Sequence, residues 1–220
     1  MQRIPEPELM DSPDQAQAYA DADFEEANTL FSDSIGAHFG TRLEGMALDL
    51  GCGPADIVCC LAHRYPGLHF YAVDGSAPML VMGETVVAQH GLADRVTLLQ
   101  RYLPCDDLPL TQYDLITSNS LLHHMHDPND FWNMIVKFGR TDTRVLVMDL
   151  LRPQNEASAQ ALVEQYAADA PQVLRTDFYN SLFAAYRPDE IRAQLKQVGL
   201  DGLEVKVVSD RHWQVCGRLS

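Results

Sequence analysis

The chain has 220 residues, 46% of them apolar and 21% charged, with 13 Gly and 12 Pro, which excludes disordered, collagen-like and low-complexity classes. Sixteen Lys plus Arg stand against 31 Asp plus Glu, a formal charge of -15, so the summed field repels phosphate backbones; no basic patch offsets it, and nucleic acid is not an expected partner. The five cysteines, at 52, 59, 60, 105 and 216, are odd in number and lack C-x-x-C spacing, which argues against a disulfide framework or zinc knuckle and for a reducing compartment.

Met1 to Glu8 lacks the basic and apolar regions of a secretory signal, and no run approaches the roughly 18 apolar residues of a membrane span. A cytoplasmic protein without membrane insertion is therefore expected. Behind Ser12-Pro13, the residues Ala16, Tyr19, Ala20, Phe24, Ala27, Leu30 and Phe31 recur at near-helical spacing and predict one or two amphipathic helices. From Met46 the rhythm changes to short apolar runs: Met46 to Leu50, Phe70 to Val73, Val96 to Leu99, Leu115 to Thr117 and Val145 to Met148. Helical stretches at 54 to 65, 77 to 90 and 129 to 138 lie between them, with Ser76 as an N-cap before Ala77-Pro78 and Gly91 as a stop. Strand and helix in alternation predict a parallel sheet with helices on both faces.

The alternation breaks after Leu151-Arg152-Pro153. Residues 154 to 187 are helix-like and rich in rings (Tyr166, Phe178, Tyr179, Phe183, Tyr186), and Pro188 starts a helix that stops at Gly199. Two strand-like runs, Leu203 to Val208 and Trp213 to Gly217, are split only by Ser209-Asp210-Arg211, too tightly for a parallel crossover, and so predict an antiparallel hairpin at the sheet edge. The whole chain, 1 to 220, reads as one domain.

The most specific segment is Ala47-Leu48-Asp49-Leu50-Gly51-Cys52-Gly53-Pro54-Ala55-Asp56, a strand that enters a glycine turn and then a helix. A dinucleotide fingerprint fails here because Asp56 takes the third glycine position, and Asp49 and Asp56 would repel a pyrophosphate. A cofactor with a cationic head and no phosphate removes that conflict. The second strand ends in Val73-Asp74-Gly75-Ser76, whose acid suits a pair of ribose hydroxyls, and Tyr113 to His124 reads as a fourth strand running into a turn. In this order the three segments resemble the class I S-adenosylmethionine-dependent methyltransferases, strongly over 46 to 150 and more loosely to 220.

The resemblance implies a Rossmann-like α/β fold with a seven-stranded sheet in the order 3-2-1-4-5-7-6, the seventh strand antiparallel. It implies S-adenosyl-L-methionine as cofactor, with Asp49, Gly51 and Gly53 around the methionyl part and Asp74 on the ribose. Gly75, Ser76, Leu103 and Asn119 complete the expected cofactor set. Ala55 stands where many family members carry a third glycine. Pro104 falls where the family commonly places an acid for the adenine amino group, which leaves adenine to backbone groups or to Asp106.

The acceptor side offers His123, His124 and His126 beside Asp127. A neutral imidazole can take a proton from an acceptor, and a carboxylate can fix its tautomer, so His124 and then His123 are the expected catalytic residues. His123 and His126 stand three apart and could share a metal, but no Cys or acidic ligand at a familiar spacing joins them, so no metal is expected. In the resembling family a helical N-terminal part, here 12 to 39, and the insertion after the fifth strand, here 154 to 187, cover the acceptor. Tyr19, Phe24, Phe178, Tyr179 and Tyr186 are then candidate acceptor contacts beside His123, with Arg152 and Arg175 available to an anionic acceptor. For each ring or histidine taken singly, core packing is the competing reading. The implied activity is methyl transfer to a small-molecule acceptor. The alternatives are a cofactor-binding protein without catalysis, or a nucleic-acid or protein methyltransferase; Ser118-Asn119-Ser120-Leu121 does not match the (Asn/Asp)-Pro-Pro-aromatic motif of enzymes that methylate exocyclic amines.

Overall fold

Burial deepens along the first strand toward its carboxyl end. In the computed structural model, which describes residues 1–6, 12, 18, 19, 22 and 25–220, β1 (Glu44–Leu50) is exposed at Glu44 and buried from Ala47 to Leu50. It pairs in parallel with β2 (Gly67–Asp74) on one side and β4 (Leu115–Asn119) on the other. Outside these lie β3 (Val96–Gln100) and β5 (Arg144–Leu150), also parallel. The hairpin of β6 (Glu204–Val207) and β7 (His212–Arg218) closes the sheet, with β7 antiparallel to both β5 and β6. The order is β3-β2-β1-β4-β5-β7-β6, as the sequence led one to expect.

Period-two alternation sends neighbouring side chains to opposite faces. Ala47, Phe70 and Ala72 point to one face, where α1 (Glu25–Phe39) contributes Phe31 and Ile35 and α2 (Asp56–Arg64) contributes Val58 and Leu61. α3 (Ala77–Gln89) lies on the same side, started by Ser76, whose Oγ accepts from the Met79 N–H at 3.4 Å. Leu48, Leu50 and Ile116 point to the other face, against Phe131, Trp132 and Ile135 of α4 (Pro128–Phe138) and Ile191 and Leu195 of α7 (Pro188–Gln197). Trp132 is fully buried, and its indole N–H donates to Gln194 Oε1 at 2.9 Å, so that the polar edge of the ring is satisfied.

The stretch after β5 forms α5 (Glu156–Tyr166) and α6 (Gln172–Ala184), which share a small cluster of Ala159, Val163 and Leu182. Within the expected N-terminal cover, residues 25–39 form the single helix α1, which is largely a core element because Phe31 and Ile35 are fully buried. Phe24 lies outside the described residues. The first residues cross the end of α6: the Ile4 N–H donates to Phe183 O at 3.0 Å, and the Arg3 guanidinium donates to Ala184 O at 2.6 Å and His123 O at 3.0 Å. No helix among the described residues is long and apolar enough to cross a membrane.

Candidate active site

The carboxyl ends of β1, β2, β4 and β5 open into one cavity of about 990 Å³, lined on its far wall by α6. Its floor is the turn after β1, where Gly51 (φ +74), Gly53 (φ +51) and Ala55 (φ +67) are all left-handed. A Cβ at Gly51 would stand 2.7 Å from the Leu121 side chain, whereas one at Gly53 would meet nothing, because Gly53 faces the cavity. Ala55 holds a left-handed conformation at a cost of about 1–2 kcal/mol, and this position is where the resembling family often has glycine.

Two carboxylates stand over this turn. Asp74 ends β2 and accepts from the Gly53 and Ser76 N–H groups, both at 2.8 Å, which ties the glycine turn to the neighbouring strand. Asp49 is 3% exposed and accepts from the Thr117 hydroxyl at 2.6 Å. Burial pushes Asp49 up to about 7 against the pull of the Thr117 hydrogen bond, with the Asp74 charge adding to the rise. Burial also raises Asp74, against the hydrogen bonds from Ser76, Gly53 and Gly75. Beyond them, Asn119 Oδ1 is buried without a hydrogen-bond partner among the described residues. Two desolvated acids, an open glycine cradle and an orphaned acceptor fit a ligand that brings positive charge, hydroxyls and N–H groups.

The opposite end is built from β4, β5 and the amino terminus. After β4 the chain turns through Ser120 (φ +55) into a short 3-10 turn, Leu122–His124. The His123 side chain is 3% exposed, with Nδ1 at 2.5 Å from Asp149 Oδ1, and its backbone N–H donates to Asp149 Oδ2 at 3.1 Å. Asp149, in β5, is 1% exposed. Burial works against both charges, yet their proximity wins: His123 is held above its ordinary value and Asp149 below its own. Glu6 reaches in from the amino-terminal segment, its Oε1 at 3.4 Å from both His123 Nε2 and His124 Nδ1.

All eight expected cofactor residues (Asp49, Gly51, Gly53, Asp74, Gly75, Ser76, Leu103 and Asn119) line the cavity. So do His123, His124, Tyr19 and Phe178. Three expected acceptor contacts lie elsewhere. Arg152 is 5% exposed, lines a separate cavity and pairs with Glu190 at 2.7 Å, joining the segment after β5 to α7. Tyr179, about 100° around α6 from Phe178, stacks instead on Phe183 at 4.8 Å. Tyr186 is 6% exposed beneath the Arg3 guanidinium, at 4.2 Å. Arg175 donates to Ala168 O at 2.7 Å and does not line the cavity either.

The expected partner of the histidines is also corrected. Asp127 accepts from the Asn129 N–H at 2.8 Å and caps α4, and His126 is exposed; Asp149 is the carboxylate that orients a histidine. Asp106 is exposed and paired with Lys137, away from the cavity. Near Asp74 the walls are instead Met79, Leu103 and the 60% exposed Tyr102. Asp149 carried a usable sign, an acid ending an apolar strand run as Asp49 and Asp74 do, whereas nothing in the sequence near Glu6 marks it.

A methyltransferase domain family matches residues 48–145. An uncharacterised methyltransferase of Mycobacterium tuberculosis is 32% identical over 101 residues, 41% of this chain and 46% of that protein. The matched segments span less than half the length of each of the first curated relatives, 20%, 32% and 46%. Among solved structures, a SAM-dependent methyltransferase from Aquifex aeolicus superposes with a TM-score of 0.67 at 16% identity, over 93% of this chain and 97% of that one. The plantazolicin methyltransferase in complex with SAH gives 0.69 at 12% identity, over 94% and 91%. The chain thus has the fold of the solved SAM-dependent methyltransferases, and its residues 48–145, which hold the glycine turn and the strand-end acids Asp49 and Asp74, match a methyltransferase domain family.

Proposed function

We propose that the protein transfers the methyl group of S-adenosylmethionine to a small-molecule acceptor, with the cofactor over Asp49 and Asp74 and the acceptor between Phe178 and the His123–His124 turn. The observation that carries this reading is continuity: one cavity joins the acidic cofactor end to the histidines, and its volume of about 990 Å³ suits a cofactor with a compact acceptor. When bound, the cofactor supplies a methyl group on a sulfonium and leaves as neutral S-adenosylhomocysteine. The chain's task is then to position and desolvate. Asp49 holds the ammonium of the methionyl part over the open turn at Gly51 and Gly53, whose own N–H groups are used by Val73 O and Asp74. Asp74 accepts from the ribose hydroxyls while Gly75 and Ser76 fix its rotamer through backbone N–H groups. Leu103, Met79 and Tyr102 flank the adenine, and Asn119 Oδ1 accepts a donor near the reacting centre. His124 and His123 activate the attacking atom of the acceptor, and Tyr19 and Phe178 exclude water from it. The segments around 12 to 39 and 154 to 187 supply this cover.

Calorimetry with S-adenosylmethionine tests the cofactor half: Asp74→Ala should bind at least tenfold more weakly, since a lost bidentate acceptor costs roughly 1.5–3 kcal/mol. Turnover against hydroxyl, thiol and amine acceptors tests the other half. Cofactor binding with no release of S-adenosylhomocysteine across that panel favours a binding protein without catalysis.

A further inference from the structure

Glu6, His123 and His124 come from distant parts of the chain, yet they converge on one point of the cavity wall. Their ligand atoms all lie within 4.8 Å of one another, and Glu6 Oε1 is 3.4 Å from each of the two ring nitrogens that face it. A tetrahedral site with metal–ligand bonds of about 2.0–2.1 Å has edges of roughly 3.3–3.4 Å, so two edges of such a site are already drawn. Glu6 Oε1 is buried and has no hydrogen-bond partner among the described residues, although two ring nitrogens are this near. That is the arrangement of lone pairs that converge on a shared point, whereas an acceptor satisfied by an N–H would show hydrogen-bond geometry.

The surroundings match a metal site as well. His123 Nδ1 is committed to the buried Asp149 carboxylate, which leaves Nε2 facing Glu6, its lone pair open to a cation that displaces the proton. A carboxylate behind a histidine in this way fixes the tautomer and raises the basicity of the ligating nitrogen. Glu6 is anchored from its amino-terminal side by the bonds of Arg3 and Ile4 to α6 and to the His123 carbonyl. With His123 neutral, two carboxylates, Glu6 and Asp149, stand against the one Arg3 guanidinium, so a cation that displaces the imidazole proton meets a net negative site. All three candidate ligands line the cavity, and three protein ligands with an open position toward a cavity is the pattern of catalytic rather than structural zinc.

We propose that Glu6 Oε1, His123 Nε2 and His124 Nδ1 bind a divalent cation of the zinc class, with an open position that takes the oxygen or sulfur of a hydroxyl or thiol acceptor. This rests on the methyltransferase reading and specifies how the histidines activate the acceptor. The coordinated O–H or S–H loses its proton to water, because the cation stabilises the anion that remains. A lone pair on that atom then forms the bond to the methyl carbon as the carbon–sulfur bond of the sulfonium breaks, its electron pair staying on sulfur. The cation keeps its charge, and no oxidant or reductant is needed.

The test uses the full chain, stripped with a chelator and titrated with Co²⁺ alone, then with Zn²⁺ in competition. The expected result is one Co²⁺ per chain, with visible absorption of a four- or five-coordinate ion and no thiolate charge-transfer band. Glu6→Gln and His124→Gln should each weaken binding at least tenfold, and Asp149→Asn by 10- to 100-fold. His63 and His90, whose Nε2 and Nδ1 stand 3.1 Å apart on the surface, are the adventitious rival, so His63→Gln must leave the affinity unchanged. Far-ultraviolet dichroism and S-adenosylmethionine affinity, both expected to match wild type in Glu6→Gln and His124→Gln, guard against misfolding. Cofactor binding by a wild-type chain that holds Co²⁺ no more tightly than the Glu6→Gln/His124→Gln double variant overturns the metal site and leaves the methyltransferase reading intact. Absence of cofactor binding overturns that reading instead.

Discussion

The two ends of the cavity treat buried charge in opposite ways. At the cofactor end, Asp49 and Asp74 stand side by side and burial raises both carboxyls. At the acceptor end Asp149 is just as buried, but His123 beside it holds the carboxyl low. The first end stays electrostatically incomplete until a cationic ligand arrives, so it weakens the empty fold and favours binding. The second is neutralised from within, so it contributes to the fold and holds an imidazole in a set orientation. A desolvated acid without a partner is thus a mark of a ligand site, and a desolvated acid with one is a mark of an oriented side chain.

The contrast is broken most directly by removing the internal partner. Asp149→Ala leaves His123 buried without its carboxylate and should cost about 3–5 kcal/mol in urea unfolding, the usual penalty for halving a buried ion pair. If the loss is under 1 kcal/mol, the acceptor end is not held by this pair.

At the cofactor end the sign reverses. Asp49 binds its proton up to about 7 in the folded chain, against an ordinary value of 3.8. The folded state therefore holds more protons between these values, and the contribution of Asp49 is fully present below 3.8 and lost as pH rises through 7. Asp49→Asn, which can still accept from Thr117, should raise the stability of the ligand-free chain at pH 8 by about 4 kcal/mol, show no gain near pH 3.5, and weaken cofactor binding. A variant no more stable at pH 8 than wild type would mean that Asp49 already has an internal partner.

His212 sharpens the comparison as a buried base with no such pairing. Burial first, then Arg211, lower it to about 4 from 6.5, against smaller opposing effects of Asp149 and Asp210. Between those values the unfolded chain binds the extra proton, so stability is complete above 6.5 and falls by about 3 kcal/mol as pH drops to 4. His212→Gln should flatten the unfolding free energy over that window. The smallest effect is expected at the start of α3, where Ser76→Ala removes the cap on the Met79 N–H and should cost about 1 kcal/mol while leaving the acceptor end untouched. Thermal unfolding with and without cofactor separates this loss of stability from any change in binding.

The sequence by itself determined the sheet and the cofactor end of this protein. Their signals are local: short apolar runs mark β1 to β5, and Asp49, Gly51, Gly53 and Asp74 sit where strands end, so that strand pairing carries them together. The tight link between β6 and β7 likewise leaves only an antiparallel pair. The acceptor end was decided by tertiary structure. Asp127 follows the histidines directly in the chain and Asp149 lies a helix and a strand further on, but helix capping uses the first and the β4–β5 register brings the second beside His123. Phe178 and Tyr179 are neighbours in sequence, yet the docking angle of α6 sends one ring into the cavity and the other onto Phe183. Glu6 joins His123 and His124 only because the first residues cross the end of α6, a contact that neither spacing nor periodicity encodes. Local patterns record what each segment does with its own backbone, whereas side chains that meet across the fold depend on how whole elements pack, and that information is spread over the entire core.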